Sequence, residues 1–214
     1  PRVGCRGAGS ERQGRHGMTG TAVSEVLQLL EGYYLARAED VSAFVRPHPD
    51  EGGRESLLVR QVEDTLELVL LLPAHIVESR FDELCLDEQC QLIEGLSHFL
   101  LVCERVRCQR PTTQLELELQ AELDKWLVLT HAGRLPPAVE VQLRESLYER
   151  CSYVQSENTP HGARYRLANR LAARWVGRLV RTFVRHGRFA DMCTELRRFY
   201  RLGQAEKLRL VDGP

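Results

Sequence analysis

The sequence predicts an α+β fold that is predominantly α: a helical, bundle-like domain with a β-hairpin early in the chain. Three observations carry this. Between residues 87 and 211 apolar residues recur at intervals of three and four, which gathers them on one face of a helix. Capping residues and prolines stand where those stretches begin. By contrast, residues 57–72 alternate apolar positions with a period of two, as a strand does. With 43% hydrophobic and 28% charged residues, the chain has enough apolar surface to fold rather than remain disordered.

Residues 1–17 (PRVGCRGAGSERQGRHG) are rich in Arg, Gly and Ser, and they lack the apolar core of a secretory signal. They are expected to be a disordered tail. Residues 18–214 then form a single globular domain, with an N-terminal helix and hairpin over 18–73 and a helical part over 74–214. In 21–37, Val23, Val26, Leu27, Leu30, Tyr33 and Tyr34 make the stripe of an amphipathic helix. A short helical piece from Asp40 to Val45 follows. Pro47, Pro49, Gly52 and Gly53 mark a loop. Two β-rich runs flanking Glu63-Asp64 read as a hairpin ended by Pro73, with one long helix as the alternative.

Asp87 is placed to cap a helix reaching about Arg107, because a carboxylate accepts from the free amides of a first turn. Thr113 and Glu116 have capping-box spacing for a helix to about Thr130. Pro136 and Pro137 open another, to about Tyr153, since proline at a helix start loses no bond. Thr159-Pro160 opens a helix reaching Arg185 and stopping at Gly187. Two shorter helices, Phe189 to Tyr200 and Gln204 to Val211, close the chain.

No apolar run approaches the ~18 residues of a membrane-spanning helix. Seven cysteines with no dense spacing point to reduced thiols and a cytoplasmic location. The pattern Cys85-x4-Cys90 with Cys103-x4-Cys108 suggests zinc. However, Cys90 and Cys103 lie on one predicted helix roughly 20 Å apart at 1.5 Å per residue, too far for one ion. Buried thiols are expected instead. Phosphate-binding glycine loops, the nucleophile elbow and His-Glu-x-x-His are absent from the sequence.

Two constellations remain. Arg166, Arg170, Arg174 and Arg178 recur every four residues, continued by Arg181 and Arg185, opposite the apolar residues Ala168, Leu171, Ala172, Trp175, Leu179 and Phe183. From 161 to 210 there are thirteen Arg or Lys against three acids, whereas 61–125 holds fourteen acids against five bases. The two stretches either neutralise each other within the fold or leave a basic surface for an acidic partner or a phosphate backbone. The second constellation pairs Glu94 with His98 on one predicted helix, and Glu118 with Glu122 on the next. Glu122 falls in the apolar stripe of Leu115, Leu119, Trp126 and Leu129. It is therefore expected to be at least half-buried and to meet an Arg of the 160–185 helix, or otherwise His98.

The expected function is a non-enzymatic interaction or regulatory module that uses the arginine face, without a cofactor. One alternative is an enzyme binding a divalent metal ion through Glu94, His98, Glu118 and Glu122. A second is a nucleic-acid-binding protein. His161 and His186, which bracket the arginine helix, are expected to face solvent.

Overall fold

The computed structural model describes residues 21–36, 41–63, 65–131 and 134–213. The expected disordered tail, 1–17, lies outside the described residues. The chain is α+β and predominantly helical, with eight α-helices and one three-stranded sheet among the described residues. It divides into two compact units: one reaches Pro111, and the other comprises Thr112–Pro214 together with Tyr33–Leu35.

The first unit opens with α1 (Ala22–Tyr34) as far as Gly32, and Val23, Val26 and Leu30 are fully buried as the stripe predicts. The expected helical piece from Asp40 to Val45 is not a helix throughout. A 3-10 turn spans Val41–Ala43, and Val45 already begins strand β1 (Val45–Pro47). Three residues are too few for a period-two pattern to show, and Pro47 reads as loop. The hairpin is present as β2 (Ser56–Val62) and β3 (Thr65–Leu72), in antiparallel register from Ser56↔Leu71 to Val62↔Thr65. β3 is central and β1 joins it in parallel, Val45 beside Leu70. Leu68, Leu70 and Leu72 are buried as alternate residues of one strand face.

After Pro73 comes a short helix that periodicity does not reveal, α2 (Ala74–Glu78). α3 (Leu86–Arg107) lies against β3 and β2. Its N-cap is Cys85, not Asp87. Glu88 accepts the Cys85 amide at 2.8 Å, and Asp87 sits inside the first turn, paired with Arg54 at 3.1 Å. Gly95 lets α3 approach the sheet, since a Cβ there would come within 2.9 Å of Leu70 Cδ1.

The second unit is helical. α4 (Gln114–Leu129) starts where Thr113 Oγ1 accepts the Glu116 amide at 3.1 Å. α5 (Pro137–Tyr148) ends five residues before the expected Tyr153. α6 (Pro160–Thr182) packs along α4. It begins with Thr159 Oγ1 accepting the Gly162 amide at 3.0 Å, and a Cβ on Gly162 would lie 2.0 Å from Ser156 O. The helix stops three residues short of Arg185; a 3-10 turn, Val184–His186, leads to Gly187 at φ 65°. α7 (Phe189–Arg201) and α8 (Gln204–Asp212) complete the unit.

Candidate functional site

The interior of the second unit is unusually polar. On α4, Glu116, Glu118, Gln120, Glu122, Asp124 and Lys125 are all buried. Buried charge is tolerated only when matched by hydrogen bonds or opposite charge, and partners are present. Glu122 Oε1 receives Lys125 Nζ at 2.8 Å, and its Oε2 receives Asn169 Nδ2 from α6 at 3.1 Å. Trp126 Nε1 donates to Glu140 at 3.0 Å. Lys207, fully buried on α8, donates to Gln120 at 2.9 Å and lies 3.8 Å from Glu116. Tyr34 donates to Asp124, stacks on Tyr200 at 4.2 Å and accepts from Gln120. Burial, then the Asp124 carboxylate, hold its hydroxyl well above the usual tyrosine range.

Glu122 is thus buried, as its place in the stripe predicts. Its cation, however, is Lys125 one turn away on its own helix, and its α6 partner is Asn169 rather than an arginine. Both carboxylate oxygens of Glu122 are engaged by protein groups. Glu118 lies 3.7 Å from Arg164, a basic residue outside the predicted stripe. Glu94 and His98 sit one turn apart on α3 in the first unit. The six described cysteines are free thiols. They are not the buried set expected: Cys85 and Cys108 are exposed and the others half-buried.

The outer face of α6 is built differently. Ala168, Leu171, Ala172, Trp175, Val176, Leu179 and Val180 are buried on the inner side. At 100° per residue, Arg166, Arg170, Arg174, Arg178 and Arg181 fall within an arc of about 120° on the other. Their surroundings divide them. Arg166 donates to the carbonyls of Gln155 (3.0 Å) and Gly162 (3.1 Å) and covers the Tyr153 ring. Arg178 donates to Leu210 O at 3.1 Å and lies over Trp175. Arg174 pairs with Asp212 at 3.1 Å, both side chains well exposed. Arg170, Arg181 and Arg185 are exposed, with no hydrogen bond or ion pair among the described residues. His161 and His186 are exposed at the two ends.

The acids of the first unit do not lack partners of their own. Asp82 pairs with Arg80 (3.1 Å), Asp87 with Arg54 (3.1 Å), and Glu88 with His75 (2.8 Å). Within the second unit, Arg188 is matched by Asp191 (2.7 Å) and Arg198 by Glu195 (3.6 Å). Residues that the sequence reading passed over, Lys207, Asn169, Arg164 and Asp212, turn out to organise the charges. Lys207 left one readable signal: it stands four residues before Val211, on the inward side of the last helix. No helix of the described residues is long and apolar enough to cross a membrane. No family model matches the chain, and neither a curated protein nor a solved structure matches it.

Proposed function

We propose that this chain is an interaction module whose α6 face binds an acidic protein segment through carboxylate–guanidinium contacts. The observation that carries the reading is the division of the stripe. Arg170, Arg181 and Arg185 are exposed and unmatched among the described residues, although the same unit supplies acids to most of its other cations. Guanidinium groups suit carboxylates because their fork of donors engages both oxygens at once. A single-stranded nucleic acid is less well served, because no Phe, Tyr or Trp of the described α6 residues is exposed for base stacking: Trp175 is buried and Tyr165 half-buried, which leaves only the His161 imidazole at the helix start.

Titration of the purified chain with a fluorescent glutamate homopolymer tests this. Binding is expected at low salt and should weaken as salt rises, as contacts between exposed charges do. At ~0.5 kcal/mol per exposed contact, replacing Arg170, Arg181 and Arg185 with Gln should weaken it about tenfold while the circular dichroism spectrum stays unchanged. Triple-variant binding equal to the parent overturns the reading. Tighter binding to duplex DNA than to polyglutamate at equal salt overturns it in favour of a phosphate-backbone surface.

A further inference from the structure

The C-terminal turn of α8 ends on the basic face, where it engages two of the six stripe arginines: Arg178 through Leu210 O and Arg174 through Asp212, each at 3.1 Å. The two contacts differ in kind. A cation beside the last carbonyls of a helix is favoured by their partial negative charge, so the Arg178 bond serves the fold. Asp212 has no such justification. As the last residue of α8, its carboxylate opposes the helix dipole. Its ion pair is 59% exposed on one side and 65% on the other, where pairing stabilises little. Its one distinctive property is position: it places a carboxylate on an arginine that lies between the unmatched Arg170 and Arg181.

We infer that Asp212 is a built-in competitor, occupying Arg174 in place of the partner's carboxylate and thereby attenuating binding at the α6 face. This rests on the carboxylate-binding reading of that face. The Asp212 side chain leaves Arg174 when an acidic segment arrives, and its release lowers the gain from the new contact. α8 itself stays docked, held by the buried Lys207 and Val211.

A double-mutant cycle with polyglutamate as the probe tests the inference. Asp212→Asn should tighten binding about twofold to fivefold, the range set by the weakness of an exposed pair. The same substitution in an Arg174→Gln background should leave affinity unchanged, because the competed site is gone. Equal tightening in both backgrounds would mean that Asp212 acts only through the general field, and the inference falls. Parent and Asp212→Asn proteins binding equally well overturn it while leaving the carboxylate-binding reading standing. No binding by either protein overturns both. Thermal melts accompany the titrations; Asp212→Asn should melt no lower than the parent, since it removes a charge that the helix end disfavours.

Discussion

α4 and α6 pack along each other and both are rich in charge, yet they use it in opposite ways. On α4 the charges point inward and are matched: Glu122 by Lys125 and Asn169, Glu116 by Lys207, Asp124 by Tyr34 and Gln120. On α6 all but Arg164, which meets Glu118, belong to the outer stripe, and half of that stripe is unmatched among the described residues. A buried charge must have a partner or the fold fails, whereas an exposed charge is already satisfied by water. Five ionic residues on α4 therefore specify the fold, whereas most of the six on α6 face solvent and form the surface proposed for binding.

The comparison breaks most sharply at Lys207. Replacing it with Met keeps the length of the side chain but strands Glu116 and leaves Gln120 without its donor. The second unit should lose about 3–5 kcal/mol, read by denaturant melts. A loss below ~1 kcal/mol would mean that the inner charges do not hold the fold. Glu122→Gln comes next, at about 2 kcal/mol. The loss is smaller because the amide keeps an acceptor oxygen for Asn169 Nδ2, and Lys125 retains a little exposure to water.

Alkaline stability sharpens the comparison further. The Tyr34 hydroxyl titrates above its unfolded value near ~10, so the folded state holds the proton more tightly. The stability it contributes is complete below pH ~10 and is lost as pH rises toward the folded value. Tyr34→Phe should lower stability at neutral pH by the two hydrogen bonds of its hydroxyl, to Asp124 and from Gln120, yet show a shallower decline above pH ~10. An unaltered alkaline limb would place the titration elsewhere. The smallest effect belongs to the outer face: Gln at Arg170, Arg181 and Arg185 should leave the melting midpoint within error of the parent.

Much of this fold was legible because its signals are local. The α6 start followed from Thr159-Pro160, and the α4 start from Thr113; the end of α6, at Thr182, came before the Gly187 that marked it in the sequence. The β2–β3 hairpin was marked by alternation across Glu63-Asp64. β1 and α2 escaped because three to five residues carry no period, and Cys85 is not a residue type that announces a cap. At the site, the sequence placed the arginines on one face and Glu122 in the interior. It did not divide the stripe into occupied and open members. That division depends on α8 returning to α6, where Asp212 and Leu210 meet Arg174 and Arg178 across more than thirty residues of chain. Likewise, Asn169 reaches Glu122, 47 residues away in the sequence, only through the packing of their two helices.

The most direct test follows the arginine side chains themselves. In a nitrogen-15 spectrum of the Nε–Hε groups, titrated with polyglutamate, the account predicts that Arg170, Arg181 and Arg185 shift first and that Arg174 follows as Asp212 is displaced. Arg166 and Arg178, held by backbone carbonyls, should stay in place. Uniform small shifts across all six arginines, or shifts led by Arg166 and Arg178, would contradict the division of the stripe on which the proposed function rests.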